Sequence, residues 1–525
     1  MNGRQEKMAL GIELGSTRVK AILVDGESNI AASGSYEWRS QFHQGHWTYS
    51  MDDVWAAVQG AFSSMREDFA RRSGSELVEV GALGVSAMMH GYLALDADGQ
   101  LLTPFRTWQD TTTGEAAKLL SRQLGVNIPL RWSVAHLYQA VLDKETHVPQ
   151  VRTLTTLAGY VHWRLSGERV LGIGDASGVF PIDVETGGYD ASMLTKVDAM
   201  LSEHSVHWRL DQLLPEARLA GQSAGRLTAE GALLLAPQGD FRAGSLMVPP
   251  EGDAGTGMVA TNTVRPGTAN VSAGTSIFAM VVLDDALAGS YDELDLVTTP
   301  AGRPVVMVHC NNGAADLQDW VMMFGEVGRA LGAEFDTDAL FRTMYEESLE
   351  GAVDAGGLVA LNFKVGEPIA GVDVGRPLFT RVPDARLRLA DFMRAHLYGA
   401  FAALRMGFDV LRREHVTVTE MFAHGGLFRT PGVGQRYLSA ALEVPVTVSD
   451  TAGEGGAWGM ALLAAFGLSG AADLASWLDR EVFDGQERTT LTPSTDDVAG
   501  FNTFMSRYRE ALVVEQSARH RSDVE

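Results

Sequence analysis

The chain has a single cysteine, Cys310, in 525 residues, which excludes an internal disulfide framework and suits a reducing compartment. It is also short of positive charge: 42 lysines and arginines stand against 66 aspartates and glutamates, a formal balance of −24. Such a chain is a poor ligand for nucleic acid or an anionic membrane, and a small-molecule partner is expected instead. No apolar run reaches the ~20 residues of a membrane-spanning helix, the nearest being the stretch 457–466. Met1 to Lys7 is short and charged with no apolar signal core behind it, so the expected location is cytoplasmic.

What is present is an ordinary globular composition, 46% hydrophobic and 21% charged. The length exceeds what one core usually holds, and two large domains are the default expectation. The first hundred residues read as strands at 8–14, 18–25 and around 30–38, a helix from about Met51 to Arg72, and a buried strand from Val78 to Val85, an α/β mixture. A mostly helical stretch follows from Glu115 to Leu165. The segment "MVPPEGDAGTG", Met247 to Gly257, combines two prolines with its glycines. It reads as a turn or boundary, which places the domain division near 260.

Within the first strands, "GIELGSTRVKAILVDG" (11–26) sets Gly15, Ser16 and Thr17 between two strand-like runs. A phosphate-binding turn normally opens a helix; here the glycine joins a hairpin. The same layout returns in "NVSAGTSIFAMVV" (270–282), with Gly274, Thr275 and Ser276 at the turn. One such turn alone is ordinary β-turn chemistry. Two copies, one at the start of each half, suggest a duplicated domain whose hairpins hold the phosphates of one nucleotide from both sides.

Further motifs follow in order: "SAMMHGYLALDADGQLLTPFRTWQD" (86–110), "GDAGTG" (252–257), "SAGTSIF" (272–278), "AHGGLFRTPGVGQRYLSAALEVPV" (423–446) and "GEGGAWGMALLAA" (453–465). Together, from about Met8 to Gly467, they resemble the FGGY family of carbohydrate kinases. The resemblance implies two α/β, ribonuclease-H-like domains of the actin, hexokinase and Hsp70 type with a cleft between them: residues 8–260, residues 261–480, and a C-terminal extension at 481–525. Met89-His90-Gly91 is most similar to the xylulokinase-like pentulose kinases. By that resemblance Met89, His90 and Gly91, with Trp108 and Asp110 of "WQDTTT", meet the sugar, and Asp253 is the catalytic base. It makes Glu13, where the family usually has Asp, the Mg²⁺-associated carboxylate. Gly15, Ser16, Thr17, Lys20, Gly274, Thr275 and Ser276 contact the ATP phosphates, and Gly425, Gly426 and Leu427 form the adenosine site.

Several positions depart from the family pattern. Ala254 follows the base where an Asn is common; His136 and Gln139 replace a usual Lys and Trp; Tyr398 stands near a frequent Glu. These leave the ATP chemistry intact and open the choice of sugar. The expected activity is phosphorylation of the terminal hydroxyl of a ketopentose, D-xylulose favoured, with L-ribulose or another ketose or polyol as the alternative. From a different class, an actin- or Hsp70-like ATPase would use the same fold without the Met89-His90 strand end. A homodimer would be in keeping with the resemblance.

Other features carry less. Gly255-Thr-Gly257 matches a dinucleotide fingerprint but follows no strand. The histidines of "HQGH" (43–46) and "HSVH" (204–207) read as solvated, the apolar stripe at 401–411 as core, and the polar tail from Val514 to Glu525 as mobile.

Overall fold

The computed structural model describes residues 5–204, 206–448, 455–486 and 488–518. Among these, the strands form two main sheets of one design. In the first, Ala9–Leu14, Arg18–Val24 and Ile30–Glu37 run as an antiparallel meander, and Ala82–Ala87 lies parallel on the other side of Ala9–Leu14. The short strands Leu246–Met247 and Glu251–Gly252 both continue it in parallel beside Ala82–Ala87. In the second, Thr268–Ala273, Ile277–Val282 and Pro304–Cys310 form the meander, with Glu420–His424 and then Val446–Val448 parallel beyond it. Asp295–Thr298 and Thr489–Leu491 extend the second sheet at its edges. The repeated hairpin of the sequence is thus a repeated sheet topology.

Local chemistry sets the elements where it is strong. The helix Met51–Ser73 starts where the Ser50 side chain accepts a hydrogen bond from the Asp53 N–H and stops at Gly74 with φ 69°. Its buried face, Val54, Val58, Phe62, Met65 and Phe69, joins the core around the first sheet. The fourth strand comes later than the pattern predicts, at Ala82–Ala87, because the Val78 N–H is spent on the Gln5 side chain. The stripe at 401–411 lies in the helix Leu389–Arg413, and its apolar side chains, with Tyr398, are core.

The glycine-rich segment expected to be a boundary contains a helix instead, Asp253–Ala260. The reason is a crossing contact: a Cβ on Gly459 would stand 1.9 Å from the Thr256 carbonyl oxygen. Small residues in Asp253–Ala260 and in Gly455–Ser469 therefore let two backbones touch, so glycine here serves packing. The division near 260 separates the two sheets but not their covers. The helix Gly455–Ser469 returns to the first sheet, where a Cβ on Gly11 would meet Ala457 O at 2.2 Å and Ala461 N at 2.3 Å.

The tail is also more ordered than its composition suggests. The helix Thr495–Ala518 includes buried Glu515, paired with Arg376 at 3.3 Å, and Gln516, which donates to Ala370 O at 2.8 Å; residues 519–525 lie outside the described residues. Among the described residues, no single helix is long and apolar enough to cross a membrane.

Candidate active site

Glu13, the two glycine turns, Met89 to Gly91, Asp253 and Gly425 lie at or just beyond the carboxyl ends of strands, where open α/β sheets bind ligands, whereas Lys20 lies inside a strand and Trp108 and Asp110 in a loop. Glu13 sits near the end of Ala9–Leu14, opposite Lys20 on one side and Ser86 on the other. Its Oε2 accepts from the Ala457 N–H at 3.2 Å, and the glycine at 456 leaves room for Oε1. Burial and the neighbouring Asp253 charge push this carboxyl up to about 7, against the pull of Lys20 and the 456–457 amides. A single carboxylate of this kind fits Mg²⁺, which binds through few protein ligands. Among the described residues no three His, Cys, Asp or Glu side chains cluster as a metal site.

Asp253 is the first residue of its helix, and Oδ1 accepts from the N–H groups of Met89 (3.3 Å) and Ala254 (3.0 Å). Burial pushes it up to about 6, the amides holding it back. A carboxyl near that value accepts a proton at neutral pH more readily than an ordinary aspartate. Next to Met89, His90 has φ 70° and Gly91 φ 86°, a left-handed pair that is costly for histidine and turns its ring inward. His90 Nδ1 donates to Gly178 O at 3.1 Å. Burial, reinforced by the Arg131 charge, pushes the ring well below its usual pKa, so it is neutral and Nε2 is an acceptor.

The two glycine turns share a device. In the first, Trp38 Nε1 donates to Gly15 O (2.7 Å), Tyr49 OH to Ser16 O (2.6 Å) and Trp38 N to Thr17 O (3.1 Å). In the second, Gly313 N and Ala314 N donate to Thr275 O (2.7 Å) and Gly274 O (2.8 Å). The Gly15 and Gly274 N–H groups close their own turns on Arg18 O (3.1 Å) and Ser276 O (2.9 Å) and, contrary to expectation, are not free for phosphate. With the carbonyls tied back, the donors each turn can offer an anion come from the two hydroxyl residues after the glycine. Trp38 and Tyr49, stacked at 4.2 Å, and the loop at 311–314 were not singled out from the sequence; their long-range hydrogen bonds leave no local signal.

Gly274 and Gly426 line a cleft of about 660 Å³ together with Gln318, Met322, Phe341 and Arg429. Gly425 has φ 110°, and a Cβ there would stand 2.3 Å from Ala273 O. Leu427 is a core residue whose side chain cannot line that cleft.

Trp108 is 36% exposed and donates from Nε1 to Ser16 Oγ at 3.3 Å. Asp110 is buried and committed on both oxygens, one to Thr112 (2.9 and 2.7 Å) and one to His46. Burial would raise it; the Thr112 and His46 hydrogen bonds outweigh that and hold it below the usual range. His46 is therefore not a solvated histidine as its motif suggested. The hairpin Gln41–His43 and His46–Thr48 brings it to a carboxylate far along the chain. His43, His204 and His207 are exposed as expected.

Models of the FGGY family of carbohydrate kinases match residues 8–237 with the N-terminal domain and 269–468 with the C-terminal domain. A xylulose kinase of Klebsiella pneumoniae is 27% identical over 49% of this chain and 53% of its own, and a glycerol kinase of Thermococcus kodakarensis 25% identical over 53% and 54%. These alignments span about half the length of those relatives. The solved xylulose kinase of Rhodospirillum rubrum superposes with a TM-score of 0.80 at 20% identity, over 98% of this chain and 100% of that one. The duplicated sheets are the paired α/β domains of the actin, hexokinase and Hsp70 superfamily, and the chain belongs to the FGGY family of carbohydrate kinases.

Proposed function

We propose that the protein transfers the γ-phosphoryl group of ATP to the terminal hydroxyl of a ketopentose, with D-xylulose the favoured acceptor. The observation that carries this reading is the junction of three groups: Asp253, hydrogen-bonded by the amide of Met89; the inward His90 beside it; and Glu13 within electrostatic reach. Phosphoryl transfer is mostly positioning and charge neutralisation. The acceptor hydroxyl would lie against Asp253 Oδ2, the oxygen that neither amide occupies, and give up its proton there as its oxygen bonds to the γ-phosphorus. The bond from that phosphorus to the β–γ bridging oxygen breaks, and ADP leaves. His90 Nε2 would accept a sugar hydroxyl, and the two turns would hold the phosphates through Ser16, Thr17, Thr275, Ser276 and their amides, with Lys20 adding charge. Glu13 would hold Mg²⁺, which supplies neutralisation of the triphosphate charge.

The adenosine belongs in the cleft at Gly274 and Gly426, whose apolar wall of Met322 and Phe341 suits a base. The altered sugar-side residues keep L-ribulose as the second candidate. Asp253→Asn tests the assignment: ADP release stimulated by D-xylulose should fall by about three orders of magnitude or more, while ATP binding by calorimetry stays within a few-fold. Retained turnover would remove Asp253 as the base.

A further inference from the structure

One turn of helix beside this site concentrates buried polar atoms that nothing else among the described residues satisfies. Trp132 Nε1, Ser133 Oγ and both ring nitrogens of His136 have no hydrogen-bond partner among the described residues. The three side chains are 1%, 0% and 0% exposed. They cap and open the helix Ser133–Leu142, and at ~100° per residue they fall within one 100° arc of its surface. Folds rarely leave such groups orphaned, because each costs stability until a partner arrives.

Their position ties them to the acceptor site. The Trp132 ring lies parallel to His90 with centroids 6.3 Å apart and planes 16° apart. The His136 ring lies over Tyr92 at 6.2 Å, within electrostatic reach of Asp110. Behind it, Arg106 covers the other aromatic contact at 5.3 Å from the Tyr92 centroid and pairs with Glu145, while His147 Nε2 and Tyr92 OH are 2.8 Å apart. The Arg106 guanidinium, through Nη2, and the Tyr92 hydroxyl thus have partners, while neither ring nitrogen of His136 does.

We propose that Trp132, Ser133 and His136 form the subsite that reads the hydroxyls of the acceptor at the end away from phosphoryl transfer, and that it selects an uncharged ketose or polyol and rejects sugar acids. The proposal rests on the kinase reading above. The donor inventory supports the class: indole N–H only donates, a serine hydroxyl donates and accepts, and a neutral imidazole does one of each. Burial keeps His136 neutral, pushed down to about 4. Hydroxyls, which also do both, can satisfy all of these atoms. A carboxylate only accepts, would leave the imidazole acceptor unpaired, and would approach the Asp110 carboxylate.

The test measures ADP release with Mg²⁺ATP and D-xylulose, L-ribulose, 1-deoxy-D-xylulose or D-gluconate, in the unaltered protein and in Ser133→Ala, Trp132→Phe and His136→Gln. The expected result is turnover of a ketopentose and none of gluconate. KM should rise about tenfold or more in Ser133→Ala and His136→Gln with kcat within about threefold, since each deletes a hydrogen bond in a desolvated site. The penalty for the missing 1-hydroxyl should shrink by a similar factor in at least one variant, as a shared interaction requires. Unchanged KM values alongside brisk ketose turnover, or gluconate turned over as well as the ketoses, would overturn the subsite and leave the kinase reading standing. Silence toward every acceptor would overturn both. Ser133→Ala removes one hydroxyl and keeps the fold, so it carries the test if His136→Gln does not fold.

Discussion

The two glycine turns are copies in topology and differ in what stands behind them. The first has the carbonyls of Gly15 and Ser16 held by aromatic side chains, Trp38 and Tyr49, which flank the next hairpin. The second has them held by backbone N–H groups of Gly313 and Ala314. That loop is pinned in turn: Glu367 Oε2 accepts from Asn312 N and Nδ2, both at 3.1 Å, and Asn362 Nδ2 donates to Gly313 O at 2.7 Å. The flanking residues diverge as well, for Glu13 in the first copy has Ser272 in the second. The two copies keep one geometry, a glycine turn with its carbonyls tied back, and each holds it in its own way; a carboxylate stands at that flanking position in only one of the two.

Breaking the backbone-held turn should cost the most. A Cβ on residue 313 would stand 2.5 Å from Gly274 O and 3.0 Å from Thr275 O, so Gly313→Ala must displace the turn itself. We expect kcat/KM to fall about 100-fold, the scale of an ångström of misplacement; activity within a few-fold of the unaltered protein would mean the second turn does not position phosphate. The side-chain-held turn should be more forgiving. Trp38→Phe keeps the stack on Tyr49 but frees Gly15 O, and a loss of about tenfold, mostly in the KM for ATP, is expected from one hydrogen bond. An equal or larger loss than in Gly313→Ala would reverse the contrast.

The smallest effect concerns proton uptake. Burial pushes Glu13 and Asp175 up to about 7, Glu251 to about 8 and Asp253 to about 6 in the first half, and Glu367 up to about 7 in the second. Each carboxyl binds its proton more tightly folded than unfolded, so its contribution to stability declines as pH rises from its ordinary value through the folded one. Buried histidines act oppositely: His136, His162 and His424, pushed down to about 4, cost stability as pH falls below their ordinary 6.5. Above pH 6.5 only the carboxyl effect remains among these groups, and unfolding free energy should decline toward pH 8. Asp175→Asn mimics the protonated form and keeps an oxygen for the Thr156 hydroxyl. It should shrink that decline by somewhat under ~1 kcal/mol, read from denaturant melts at the two pH values; an undiminished slope would mean Asp175 does not titrate there.

What the sequence disclosed was local. The hairpin glycines, the meander strands and the cap of the helix at Ser50 are each written in neighbouring residues. The motif draws attention to Asp253 and hides its place at a helix start, because glycines that serve a close helix crossing look like turn glycines until Gly459 is set against Thr256. His46 was misread for a similar reason: its partner Asp110 is brought to it only by the fold. The orphaned atoms of Trp132, Ser133 and His136 were least legible, since an apolar helix pattern says nothing about which buried polar group lacks a partner.

The helix Gly455–Ser469 gives the molecule an order of completion. A ribosome that has released the first 260 residues has made every strand of the first sheet and not its cover, because the faces of Gly11 and Gly84 are shaped to receive Ala457 and Met460. Glu13 likewise waits for the amide of Ala457. A nascent chain, or one clipped before Gly455, carries Glu13 and Asp253 and lacks the helix against which Glu13 and the Asp253–Ala260 helix pack. Finishing synthesis is then the step that assembles the pocket, and a truncated product exposes the bare sheet face in its place.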